Sequence, residues 1–198
     1  MEKSIYIVLT DTGTLLSKGI ALYTKERLNH VSVAFDAELR DMYSFGRKWR
    51  YNPFVGGFVK ENAVAGIFGR ADCAVYSCTV TPEQYEEIWG AIGRFEKNPD
   101  QYRYNFIGLF AVALKKEIQR ENAFFCSQFV ATVMNEGGVP LFSWEPHFVQ
   151  PRHFARLPRL RKKYEGDLRT YLQRMRGDEE RQPLPNGLWR GLALRLLA

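Results

Sequence analysis

Cysteine is scarce in this chain: 198 residues hold three, at Cys73, Cys78 and Cys126. An odd number without paired spacing excludes a disulfide scaffold and points to a reducing compartment. Cys73 and Cys78 lie in Ala71-Asp72-Cys73-Ala74-Val75-Tyr76-Ser77-Cys78-Thr79-Val80, which alternates like a strand. Their odd separation sends them to opposite faces, so they do not share a bond or a metal. Histidine is as rare, with three copies, and no Cys/His group has zinc spacing, so no metal site is expected. No apolar run reaches the roughly 18 residues that span a bilayer. The opening Met1-Glu2-Lys3 lacks the pattern of a secretory signal. A Gly-rich phosphate loop and a GxSxG elbow are both missing, which removes support for nucleotide and serine-hydrolase chemistry.

What is present is a large apolar complement and an uneven charge. Hydrophobic residues make up 45% and aromatics 14%, enough for one sizeable core in one domain. Lys and Arg number 28 against 22 Asp and Glu. The segment 152–181 holds 10 basic and 5 acidic residues, whereas 1–151 holds 16 basic and 17 acidic. The positive excess thus belongs to the C-terminal quarter. A nucleic-acid partner is disfavoured, because the larger part offers phosphates no basic surface. An anionic membrane surface facing residues 152–198 is the partner that this asymmetry suits.

The order of elements reads as α+β. Ser4–Thr10 is rich in β-branched residues and predicts a strand. Leu15–Lys25 has helical spacing. Residues 30–45 predict an antiparallel hairpin, with Val31, Val33 and Phe35 on one face and His30, Ser32 and Ala34 on the other. Residues 47–70, with Asn52-Pro53 and Gly56-Gly57, read as a long irregular loop of the kind that covers a site. A strand over 74–80 follows. Thr81-Pro82-Glu83-Gln84 then opens a helix with the stripe Tyr85, Ile88, Trp89, Ile92 and Phe95. Further helices are expected over 106–118, from about Cys126 to Gly137-Gly138, and over 159–176. The boundaries predicted are a main domain over 1–151, a basic helical extension over 152–181, and a linker with an apolar tail over 182–198. That tail suits either packing on the domain or a membrane interface.

Two residues carry candidate chemistry. His30 begins a strand on the face opposite its apolar residues. Cys126, in Phe124-Phe125-Cys126-Ser127-Gln128-Phe129-Val130, begins a helix. A thiol in a first helical turn meets the positive end of the helix dipole and unpaired amide N–H groups, which favour its thiolate. A neighbouring imidazole completes a thiolate–imidazolium pair, and the same amides suit the oxyanion of a tetrahedral intermediate. A lone cysteine among aromatics equally suits a small buried hydrophobe, and spacing alone does not choose between the two. His147 and His153, in a proline-rich segment, have no ligand partner spaced with them.

A resemblance favours the first reading. Leu28-Asn29-His30-Val31-Ser32-Val33-Ala34-Phe35 resembles the histidine strand of permuted papain-like proteins of the NlpC-type superfamily. Phe125-Cys126-Ser127-Gln128-Phe129-Val130 resembles their cysteine helix start. This group includes YiiX-like hydrolases and lecithin–retinol acyltransferase-like enzymes, and in it the histidine precedes the cysteine, as here. Tyr102-Arg103-Tyr104-Asn105-Phe106-Ile107-Gly108-Leu109 and Val149-Gln150-Pro151-Arg152-His153-Phe154 resemble the segments before and after that helix. The resemblance covers roughly residues 4–172 and implies an antiparallel sheet with helices packed beside it. It also implies a third catalytic residue, polar, on the strand after the histidine strand. Ser44 in Met42-Tyr43-Ser44-Phe45 matches that place, with Asp36 and Glu38 in the turn as substitutes. Serine is a departure, since it brings no negative charge to imidazolium.

The expected activity is cysteine-dependent hydrolysis or acyl transfer at an amide or ester. Cys126 is the nucleophile, His30 the base and Ser44 the orienting group, and no metal or organic cofactor is needed. Tyr43, Gly56 and Gly57 are candidates for lining the substrate cleft. The substrate is a small molecule, peptide or lipid with a carbonyl centre. A non-catalytic binding module on the same fold, recruited to a membrane or protein by the basic C-terminal region, is the alternative that the Ser44 departure favours. Localisation is expected to be cytoplasmic, at a membrane periphery if the basic region docks there.

Overall fold

The computed structural model describes residues 1–11, 27–47, 56–64, 68, 71–98, 103–104 and 123–181. The helices expected over 15–25 and 106–118 and the tail after 182 lie outside them.

Six antiparallel strands form the central sheet: β1 (Lys3–Thr10), β2 (His30–Ala34), β3 (Met42–Arg47), β4 (Gly56–Glu61), β5 (Asp72–Val80) and β8 (Arg161–Asp167). Their order across the sheet is β4-β3-β2-β1-β5-β8. A short parallel pair, β6 (Arg103–Tyr104) and β7 (Ala123–Phe124), stands apart. The helices are α1 (Pro82–Lys97), α2 (Cys126–Glu136), α3 (Pro151–Phe154) and α4 (Leu168–Arg181). This is an α+β architecture, with helices on both faces of an antiparallel sheet.

Alternation along β1 and β2 divides the core in two. Ile5, Ile7, Leu9, Val31 and Val33 pack with Ile88, Ile92 and Phe95 of α1 and Phe129, Val130 and Met134 of α2. Val8, Ala34, Met42, Cys73 and Val75 face the other way, toward Leu168, Tyr171 and Leu172 of α4. Cys73 and Cys78 fall in different clusters, as their spacing requires. The α1 start is as expected: the Thr81 hydroxyl accepts from the Gln84 amide at 3.2 Å, and Gln84 returns a bond to the Thr81 amide at 3.0 Å. At Gly137, just past α2, α1 passes so close that a Cβ would collide with Ile88. Gly138 follows in the left-handed region at φ +69°.

Two expectations are corrected. Within 47–70, residues 56–61 are strand β4 and not loop: the Gly56-Gly57 pair resembles a turn, yet the ladder of β3 holds Gly57 opposite Gly46. Likewise 159–176 is not one helix. Residues 161–167 form β8, an edge strand on β5, and the helix begins only at Leu168. As an edge strand, β8 carries charged side chains without apolar alternation. The segment 152–181 is therefore no appended extension: it supplies the sixth strand and the helix that covers the second core. Among the described residues no helix is long and apolar enough to cross a membrane.

Candidate active site

His30 is the first residue of β2, and Cys126 is the first residue of α2. Their side chains come together where the strand begins, near enough for Cys126 to act on the protonation of the imidazole. Cys126 otherwise packs with the cluster beneath α2, whereas His30 leaves the sheet on the face of Ser32 and Ala34. Only at the end of a strand can groups from the two sides of a sheet come together in this way. Cys126 is 6% exposed and the His30 side chain 12%.

The second partner of His30 is Glu61. Its Oε1 lies 2.8 Å from His30 Nε2, and its side chain is 5% exposed. Glu61 closes β4 opposite Met42, which is opposite Ala34, so it shares the face of His30 two strands away. From there its side chain runs back along the sheet over two serines. The Ser32 hydroxyl donates to Oε2 at 2.8 Å, and the Ser44 hydroxyl donates to Oε1. Gly46 lies alongside: a Cβ there would stand in ordinary contact, 3.4 Å from Ser44 Oγ and 3.7 Å from Glu61 Oε1. The buried carboxylate is thus held by three side-chain donors, which offsets its loss of water.

The electrostatics follow from this arrangement. Burial by itself would lower the His30 pKa, but the charges of Glu61 and then Cys126, with hydrogen bonds from both, push it up to about 10. Burial by itself would raise Glu61; the His30 charge and bond, with those of Ser44 and Ser32, bring it below the ordinary carboxylate value. The ring is therefore held as imidazolium near neutrality, pressed between carboxylate and sulfur.

The start of α2 breaks a local rule. The position before its first residue is Phe125, with no side-chain cap, where Ser, Thr, Asp or Asn would ordinarily stand. The first intrahelical bond runs from Phe129 N to Phe125 O at 2.9 Å, so the amides of Cys126, Ser127 and Gln128 precede it. The Ser127 hydroxyl turns away and donates to Val149 O at 2.6 Å, tying the helix to the segment before α3.

Compared with known proteins, this chain matches no family model, no curated protein and no solved structure. The chemistry of the site is read from its own residues.

Those residues include only part of the expected set. His30 and Cys126 come together. Ser44 is adjacent, but its hydroxyl goes to Glu61; the place on the imidazole expected for Ser44 is held by Glu61. Asp36 and Glu38 are not substitutes. Asp36 closes the hairpin turn by accepting from the Arg40 and Asp41 amides, and Glu38 pairs with Arg40. Six residue steps separate Asp36 from His30, about 20 Å of strand. Tyr43 is a core ring at 2% exposure, T-shaped to Phe35 and stacked on Phe58, and it faces away from Glu61. Gly56 and Gly57 lie in β4 opposite Arg47 and Gly46, in the ladder that carries Glu61. His153 accepts from the Gln150 amide at 3.1 Å, a structural bond at the start of α3. Among the described residues no group of three His, Cys, Asp or Glu side chains is arranged to hold a metal.

Glu61 is the candidate site residue that the sequence conceals. It sits four positions after Gly57, in a stretch that reads as loop. The signal that finds it is the alternation Phe58/Lys60 against Val59/Glu61, once 56–61 is taken as the partner of β3.

Proposed function

We propose that this chain is a cysteine hydrolase or acyltransferase of permuted papain-like architecture, working through a Cys126–His30–Glu61 triad. The observation that carries the reading is the His30 ring bonded to the buried Glu61 carboxylate and under the influence of Cys126, at the uncapped start of α2. In this reading the Cys126 thiolate attacks the carbonyl carbon of an amide or ester. The oxyanion is received by first-turn amides of α2. His30 gives its proton to the leaving amine or alcohol, leaving a thioester on Cys126 and a neutral imidazole. Glu61 orients the ring and stabilises its protonated form, as a carboxylate does in related triads. The resemblance of the His30 and Cys126 segments to the permuted papain-like group supports the same assignment.

The alternative of a non-catalytic module drew its support from a serine in the third place. A buried carboxylate on the imidazole removes that ground.

The test is alkylation by iodoacetamide at pH 6, with the site mapped by mass spectrometry. Cys73 and Cys78 are unreactive controls: burial, reinforced by Asp167, Asp72 and Glu165, pushes Cys73 up to about 12, and burial outweighs Arg159 to raise Cys78. Labelling is expected on Cys126, at least tenfold slower in His30→Ala. Equal rates in the two proteins would overturn the reading.

A further inference from the structure

Thr10 is fully buried at 0% exposure, and its hydroxyl has no hydrogen-bond partner among the described residues. It is the last residue of β1 and stands directly opposite His30 in the β1–β2 ladder. Directly opposed residues project from the same face, with Cβ atoms about 4.5–5.5 Å apart. On its other side Thr10 faces Cys73, whose thiol stays protonated through the physiological range. The nearby serine hydroxyls of that face are committed, since Ser32 and Ser44 both donate to Glu61. Valine has the same shape and strand preference as threonine and would avoid burying an unpaired hydroxyl. The unpaired group beside the catalytic ring is therefore placed for a partner that arrives during the reaction.

We propose that Thr10 holds the water that resolves the acyl-enzyme, which makes the overall reaction hydrolysis. The inference rests on the Cys126–His30 reading and deepens it by naming the acceptor. After the first half-reaction His30 is neutral and Cys126 carries the acyl group as a thioester. A water bonded to Thr10 Oγ1 lies beside the imidazole. Its proton passes to His30 as its oxygen attacks the thioester carbonyl, forming a carbon–oxygen bond. The tetrahedral intermediate collapses with cleavage of the carbon–sulfur bond. The Cys126 thiolate is restored beside the imidazolium, and the carboxylic acid formed gives up its proton to solvent.

The experiment uses p-nitrophenyl acetate with the full chain, following the burst of p-nitrophenolate, the steady-state rate and the 42-Da acetyl adduct, with Cys126→Ala as the blank. In Thr10→Val the burst rate constant is expected to stay within twofold of native. Its steady-state rate is expected to fall at least tenfold, with the adduct accumulating on Cys126. Thr10→Ser restores turnover to within about threefold, and Thr10→Val unfolds no earlier than native, because no protein hydrogen bond is lost. Native turnover in Thr10→Val, an equal fall of burst and steady state, or a Thr10→Ser variant as slow as Thr10→Val would overturn the inference alone. Absence of both burst and steady turnover above the Cys126→Ala blank in the native protein would overturn the cysteine-enzyme reading, and this inference with it.

Discussion

Glu61 reaches His30 at 2.8 Å from the edge strand of the sheet, with β3 lying between their strands. Ser44, on that intervening strand, donates to the carboxylate and so serves the pair at one remove. The serine and the carboxylate thus have separable roles. A conservative change at Glu61 removes the charge that holds the imidazolium, whereas a change at Ser44 removes one of three donors to that charge.

Glu61→Gln is accordingly expected to cost about 10²–10⁴-fold in turnover of an activated ester, the range for losing an orienting carboxylate or a general base. Ser44→Ala and Ser32→Ala each leave one acceptor site of a buried carboxylate unfilled, a loss of about 1–3 kcal/mol. They should lower the unfolding midpoint and slow turnover by less than Glu61→Gln. A Ser44→Ala enzyme slower than Glu61→Gln would put the serine, after all, in direct charge of the ring.

Stability should depend on pH in a direction set by this pair. His30 is raised from 6.5 to about 10 in the folded chain, so its contribution is complete below about 6.5 and is lost as pH rises through about 10. Glu61 is lowered from 4.5, so its contribution is complete above about 4.5 and is lost as pH falls through its folded value. The pair acts fully between about pH 4.5 and 6.5. Unfolding free energies from urea titrations between pH 5 and 10 should decline on the alkaline side by up to about 1.4 kcal/mol per pH unit, and Glu61→Gln should flatten that decline. An unchanged slope in the variant would contradict the assignment.

The end of α2 offers a check on the packing that presents Cys126. Gly137→Ala forces a Cβ into Ile88 of α1 and should destabilise by about 1–3 kcal/mol. Gly138→Ala meets open space and costs only the left-handed backbone, about 1 kcal/mol. Calorimetry of the two variants should rank them in that order; the reverse order would mean that α1 and α2 do not approach as described.

The C-terminal quarter makes a separate prediction. Arg161, Lys162 and Lys163 are exposed on β8, and Trp144 and Phe148 are exposed at 46% and 52%. Sedimentation with phosphatidylserine-containing vesicles should exceed that with phosphatidylcholine alone and weaken with salt, since basic side chains near an anionic surface add about 1 kcal/mol each. Comparison with a chain ending at Gln182 tells whether the tail contributes. Equal sedimentation with neutral and anionic vesicles would remove membrane docking from consideration.

The sequence by itself determined the local units. Alternation specified β1, β2, β3 and β5, capping chemistry specified α1, and the apolar spacing of Phe129, Val130, Val133 and Met134 specified α2. Each of these signals lies within a dozen residues and reports burial of one face. The meeting of His30 and Cys126 was legible only through resemblance, because no local pattern joins residues so far apart. Tertiary structure alone decided the rest. Edge strands carry weak signals: β4 opens on two glycines and β8 is lined with charge, so neither announces itself without the ladder it joins. Glu61 became visible only when β4 took its register on β3, since one residue of slip would turn that carboxylate to the opposite face. The third member of the site is a product of strand pairing, and strand pairing is a long-range contact that adjacent residues do not encode.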